Sequence, residues 1–115
     1  IFTNPNMPED LVPYWDFDAP NIPNEPKDVS AATVIASALY ELSGYNKEKS
    51  EQYKTWANTI MKNISEKYRA KAGGDCGFIL QHSTGAKMYN SEVDVPLSYA
   101  DYYYIEALQR QSKLN

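Results

Sequence analysis

From Ser98 to Gln111 the chain carries Tyr99, Ala100, Tyr102, Tyr103, Tyr104, Ile105, Ala107 and Leu108, and at helical spacing these side chains cover almost the whole circumference of one helix. A helix that is apolar all round is normally one that neighbours cover all round. This requirement constrains the chain more than any other feature, because its remaining elements supply cover for only one or two faces. The expectation is a piece of a larger helical fold, or a chain that associates with other subunits. Pro96 precedes the helix, and Ser98 with Asp101 forms a capping-box-like pair in which Asp stands for the usual Glu.

Two further helices are expected. The first starts at Asp28 or Ser30, either of which can cap free amides, and runs to Leu42, with Gly44 placed to end it. Its apolar face is Ala31, Val34, Ile35, Ala38, Leu39 and Leu42, and Ala32, Ala36 and Ser37 are small enough to admit a second helix closely. The second spans Ser50 to Lys71 before Gly73 and Gly74, with Tyr53, Trp56, Ala57, Ile60, Met61, Ile64 and Tyr68 on one stripe. The short link between them predicts an antiparallel pair of helices. The fold class is therefore all-α, with three main helices.

Residues 1–27 read as an irregular segment. Pro5, Pro8, Pro13, Pro20, Pro23 and Pro26 each remove a backbone donor and disfavour helix just before them. Leu11, Val12, Tyr14, Trp15 and Phe17 nevertheless make it too apolar for a disordered linker, so it is expected to pack onto a protein surface. Between the second and third helices, the short apolar run Gly77 to His82 and the turn-like Ser83-Thr84-Gly85-Ala86 before Lys87-Met88-Tyr89 predict a small β-hairpin or an ordered loop.

At 115 residues and 43% hydrophobic content, residues 1–115 suit one globular segment and not two domains. A formal net charge of -4 argues against a nucleic-acid footprint, which needs clustered Lys and Arg. No apolar run approaches the roughly 20 residues of a membrane span. Cys76 is the lone cysteine; it has no partner for an internal disulfide, no cation-rich setting to activate it, and reads as a small buried residue. The first residue is Ile1 and not Met, so the protein is expected to continue upstream.

Candidate chemistry is sparse. His82 beside Ser83 lacks the geometry of a nucleophile and its base, and no Gly-x-Ser-x-Gly elbow is present. Ser83, Thr84 and Lys87 gather hydroxyls and a cation around Gly85, a set suited to sugar hydroxyls, carboxylate or sulfate. The carboxylate pairs Asp16/Asp18 and Glu92/Asp94 read as loop and capping groups, since no ligand set with metal spacing accompanies them.

Several strings, in this order, resemble glycoside hydrolase family 88. They are Pro13-Tyr14-Trp15-Asp16-Phe17-Asp18-Ala19-Pro20, then Asp28-Val29-Ser30-Ala31-Ala32, then the loop from Gly77 to Gly85, and finally Ser91-Glu92-Val93-Asp94-Val95-Pro96-Leu97 with Tyr99-Ala100-Asp101-Tyr102-Tyr103. The resemblance spans nearly the whole chain and about the last third of a family member. It implies the C-terminal part of an (α/α)6 barrel that needs no metal or organic cofactor. The implied partners are the upstream part of the same protein and an unsaturated oligosaccharide, cut by a lyase from a glycosaminoglycan or polyuronide. The implied reaction is hydration of the 4,5 double bond of its terminal uronic acid by an aspartate acid/base upstream of Ile1. No catalytic role falls on Asp16, Asp18 or Asp94. Ser83, Thr84 and Lys87 then become substrate-binding residues on a loop, Ser83 to Met88, that borders the active-site mouth. Members favouring sulfated substrates resemble Ser-x-x-Ser-x-Lys there; this chain has Ala86 and Met88, with Lys87 shifted by one. The competing expectation, motivated by the missing catalytic constellation, is a non-catalytic helical interaction or sugar-binding module.

Overall fold

A computed structural model describes residues 1–114, apart from the side chain of Asp75; Asn115, the last residue of the expected segment, lies outside them. Three α-helices form the body: α1 (Val29–Tyr45), α2 (Ser50–Lys67) and α3 (Ser98–Leu114). No strand occurs among the described residues, where antiparallel backbone pairs are isolated, so the stretch before α3 is an ordered loop and not a hairpin of strands.

Local chemistry sets the helix ends. Extended Asp28 caps α1, its Oδ1 accepting the Ser30 amide at 3.1 Å. The helix passes through Gly44 to Tyr45 and is closed by the Asn46 amide on the Leu42 carbonyl at 3.1 Å, with Asn46 Oδ1 accepting from Lys49 to begin the turn. Gly44 is therefore inside the last turn and not beyond it. In α2 the helix stops at Lys67 and not at Lys71. The chain beyond it is drawn into pairing with the later loop: the Ala70 amide donates to the Ile79 carbonyl at 2.8 Å and the Gln81 amide to the Tyr68 carbonyl at 2.9 Å. Tertiary pairing here overrides helix propensity. Asp101 does not reach back as a capping box would. Its two carboxylate oxygens accept the amides of Ile79 and Leu80 at 2.9 and 3.0 Å.

Hydrogen bonds give the helix directions. Ser65 meets Tyr104 and Asn58 meets Gln111, so α2 and α3 run antiparallel; Ser37 meets Glu106, and Glu41 meets Arg110 further along, so α1 and α3 run parallel. Helix α1 packs against both others, and α2 touches α3 only slightly. Buried alanines at 32, 36, 57, 100 and 107 permit this close approach, and Val29, Leu39, Ile60, Met61, Ile64 and Tyr104 fill the space between. Each fully buried aliphatic side chain of this kind stabilises the fold by about 1.5–3 kcal/mol. The Arg110 guanidinium donates to the Ser37 carbonyl at 2.9 Å and pairs with Glu41 at 3.1 Å, fixing the register of α1 on α3.

Residues 1–27 do pack, as their apolar content predicts. Phe2 stacks on Trp56 with ring centroids 4.3 Å apart, and Val12 is fully buried. Within α3, Ala100, Tyr104 and Ala107 are covered whereas Tyr102, Ile105 and Leu108 are 61, 45 and 39% exposed. The other two helices, chiefly α1, thus cover one face of a helix whose sequence is apolar on every face. Cys76, expected to be buried, is exposed on a left-handed turn residue (φ 53°), because the loop turns outward at Gly74 before returning to pair with Tyr68 and Ala70.

Candidate functional site

Parallel α1 and α3 bring both of their N-termini to one end of the body, where α2 also finishes. Residues 68–97 and the stretch from Asp10 to Lys27 gather there, while Phe2 lies further back along α2 on Trp56. The loop between Ser83 and Val95 is closed by a two-way backbone pair at 2.9 Å in each direction. A second pair, Ala86 with Ser91, closes its tip, so the tight turn lies over Lys87–Tyr89 and Asn90 and not over residues 83–86 as the sequence suggests. The loop is tied to the start of α1: the Val29 amide donates to the His82 carbonyl at 3.1 Å, and the Thr84 amide to Asp28 Oδ1 at 3.2 Å.

The three residues expected to bind a sugar do not share one surface. Ser83 is fully buried, and its hydroxyl finds no hydrogen-bond partner among the described residues. Thr84 is 6% exposed; its hydroxyl donates to the Lys27 carbonyl at 2.9 Å and accepts from the Asp94 amide at 3.3 Å, so it serves the loop itself. Lys87 reaches a groove of about 270 Å³ with Trp15, Gly85, Ala86, Met88 and Tyr89. No carboxylate pairs with its ammonium among the described residues. The indole N–H of Trp15 is held by Glu25 Oε2 at 2.6 Å, which fixes the ring, and Met88 and Tyr89 are 88 and 87% exposed. An unpaired cation beside fixed and exposed aromatic rings suits an anionic sugar, whose carboxylate meets the charge and whose apolar face meets a ring. A β-carbon on Gly85 would meet the ends of two side chains, the Glu92 carboxylate and the Tyr99 hydroxyl, which pack directly over the glycine and would have to swing aside. Burial raises the Tyr99 phenol above its ordinary value, with Ser30 opposing as a hydrogen-bond partner.

A larger groove of about 460 Å³, lined by Asn24, Glu25, Pro26, Lys27, Tyr68, His82 and Asp94, is a weaker candidate because its cation is already spent. Lys27 donates to Asp10 Oδ1 at 3.3 Å and to the Val12 carbonyl at 3.0 Å. Asp10, which the sequence does not single out, also accepts from the Tyr68 hydroxyl at 2.6 Å and from the Val12 amide, and its carbonyl accepts from Asn63. Burial is the largest influence on Asp10 and raises its pKa, but the bonds from Tyr68 and Val12 and the Lys27 charge together hold it below the usual value. Burial lowers Lys27 and the Asp10 charge opposes this. The other half of that cluster, Tyr68, is pushed up by burial and then by Asp10.

Asp16 accepts the Asp18 amide at 2.9 Å, a local turn bond. Asp94 pairs with His82, and Glu92 lies against Gly85; no group of three or more His, Cys, Asp or Glu able to hold a metal occurs among the described residues.

Comparison with known proteins places this arrangement. No protein-family model matches the chain. An unsaturated glucuronyl hydrolase of Formosa agariphila is 44% identical over 110 residues, covering 95% of this chain and 27% of that protein. A solved structure of an unsaturated glucuronyl hydrolase specific for heparin matches 99% of this chain and 31% of its own, with a TM-score of 0.95 and 50% identity. The chain is homologous to a segment of the unsaturated glucuronyl hydrolases. The enzyme from Bacillus sp. strain GL1 agrees at 32% identity over 108 residues, covering 90% of this chain and 28% of that protein. A Streptococcus agalactiae unsaturated glucuronyl hydrolase complexed with dGlcA-GalNAc6S matches 96% of this chain and 30% of its own at a TM-score of 0.85 and 27% identity. The chain therefore spans about 30% of the length of the unsaturated glucuronyl hydrolases it matches, whose fold is an α/α barrel, and it corresponds to part of that barrel.

Proposed function

We propose that this chain forms the C-terminal part of an unsaturated glucuronyl hydrolase and supplies part of its substrate rim. The observation that carries the reading is the match of the whole chain, loops included, to unsaturated glucuronyl hydrolase structures. The exposed apolar side of α3 supports it, since the remainder of an α/α barrel supplies the missing cover. On this reading the substrate is an unsaturated uronate-terminated oligosaccharide released from a glycosaminoglycan by a lyase. An aspartate acid/base in the part of the protein outside this chain protonates the double bond, water adds to the adjacent carbon, and the hemiketal so formed opens to release the next sugar.

Lys87 is the group assigned to the substrate here, with Trp15 and Tyr89 as walls. Thr84 and Ser83 shape the loop from inside. The test is a steady-state assay of the full-length protein on lyase-generated glycosaminoglycan disaccharides, read as loss of the uronate double-bond absorbance. Turnover is expected, with the KM of Lys87→Ala raised about ten-fold or more and kcat retained, the loss corresponding to one charge-assisted hydrogen bond of about 1.5–3 kcal/mol. An unchanged KM would remove Lys87 from the site.

A further inference from the structure

We infer that His82 and Asp94 are positioning residues, a side-chain clasp across the base of the loop that carries Lys87, and that the clasp sets how tightly the rim holds substrate. This rests on the proposed function for its effect on KM, but its structural content stands apart from that reading. The Ser83–Val95 backbone pair joins the two arms of the loop, and the residues just outside and inside it, His82 and Asp94, meet through Nδ1 and Oδ1 at 2.6 Å. Both side chains are about half exposed, at 47 and 55%, so the pair adds little to core burial. The His82 ring is nevertheless fixed from a second side, edge-on to Tyr68 with ring centroids 6.0 Å apart and planes at 77°.

The backbone gives the pair something to hold. His82 (φ 65°), Asn90 (51°), Glu92 (50°) and Asp94 (54°) all lie in the left-handed region, which His, Asn and Asp enter more readily than other side-chain-bearing residues and which strains Glu92. The path of the two arms therefore depends on the contacts made at His82 and Asp94. The left-handed turn at His82 is also what accompanies its carbonyl's bond to the Val29 amide, and the Asp94 amide is the donor to Thr84. Releasing the two side chains therefore loosens both arms, and with them the Lys87 side of the groove, without touching any group that contacts substrate.

Asp94→Gly removes the side-chain contact at a φ of 54° that glycine adopts without strain. Because glycine also frees the backbone, His82→Asn, which breaks the same contact from the other arm and tolerates the left-handed region, should reproduce its changes. Asp94→Asn is the conservative partner: asparagine tolerates the left-handed region and keeps a side-chain oxygen to accept from the imidazole N–H. Two readouts in the full-length protein are needed. Hydrogen exchange of the amides in residues 84–95 should quicken in Asp94→Gly and stay close to wild type in Asp94→Asn, whatever the protein acts on. With unsaturated disaccharides, KM should rise by up to about five-fold in Asp94→Gly, the factor an exposed pair is worth, with kcat held and KM restored in Asp94→Asn. Exchange and KM both unchanged in Asp94→Gly would overturn the clasp, as would a loss confined to kcat. Absent turnover by the wild type, with exchange responding as expected, would refute the proposed function and leave the clasp standing.

Discussion

Replacing Asp101 by alanine isolates the contact that joins α3 to the loop before it. Its two oxygens accept from successive amides, Ile79 at 2.9 Å and Leu80 at 3.0 Å, and Leu80 is itself fully buried. Hydrogen bonds to a charged acceptor contribute about 1.5–3 kcal/mol each, and removing the acceptor leaves a buried donor with its desolvation cost. Asp101 is partly exposed, which allows water to reach one amide, so the lower end applies to that bond. The expected loss is about 2–4 kcal/mol, read by urea unfolding of the full-length protein. Asparagine is a poor substitute, because its NH2 group faces one amide donor with another; Asp101→Asn should lose about half as much as alanine. A loss below about 0.5 kcal/mol for alanine, or full rescue by asparagine, would refute the assignment of Asp101 as the acceptor that seats the loop.

Other consequences are equally open to measurement. Ile60→Ala, at a fully buried position between the helices, should cost about 2–5 kcal/mol in the same unfolding assay. Asp10 has a folded pKa below its unfolded one, so its contribution is present above the unfolded value of about 3.9 and is lost as pH falls through the folded pKa. The stability gap between wild type and Asp10→Asn should accordingly be wide at neutral pH and close in acid. Tyr40, whose phenol burial pushes up to about 12 against an opposing bond from Gln111, should ionise after the exposed tyrosines in an ultraviolet titration. A stability bonus from that phenol is present below the unfolded value near 10 and disappears as pH rises through the folded one. Gly85→Ala should displace the Glu92 carboxylate and the Tyr99 hydroxyl and leave the loop backbone in place, so that hydrogen exchange of residues 84–95 and the reactivity of exposed Cys76 to a thiol probe both stay near wild type.

Much of this architecture was legible in residue periodicity. The stripe of α2 identifies Ala57, Ile60, Met61 and Ile64, all of which are buried. The face expected of α1 is not the one it buries: of that face only Leu39 is buried while Val34, Ala38 and Leu42 are exposed, because α1 turns the small residues Ala32, Ala36 and Ser37, with Tyr40, toward its neighbours. What periodicity does not carry is long-range pairing. It places the end of α2 at the glycines, whereas the peptides of Tyr68 and Ala70 bond to Gln81 and Ile79. It reads Ser98-x-x-Asp101 as a local cap, whereas the Asp101 carboxylate serves a different element. Asp10 is one acidic residue in a proline-rich run, and nothing nearby in sequence announces its bonds to Lys27 and Tyr68. Likewise, the composition of Ser83-Thr84-Gly85-Ala86-Lys87 points to a polar loop, but which hydroxyls turn inward depends on backbone pairing with residues 91–95. Among the left-handed residues, Asn90 closes the local turn over Lys87–Tyr89, whereas His82 and Asp94 are tied by their backbone to α1 and to Thr84, which sequence spacing does not announce.

The central claim is that this chain completes a sugar-cleaving barrel whose acid/base carboxylates lie outside it. The most direct measurement is the uronate absorbance of lyase-generated disaccharides followed with two proteins side by side, residues 1–115 alone and the same residues joined to their upstream part. Decay with the joined protein and none with the segment is the predicted result. Decay with the segment alone, or a flat trace with the joined protein, would contradict it.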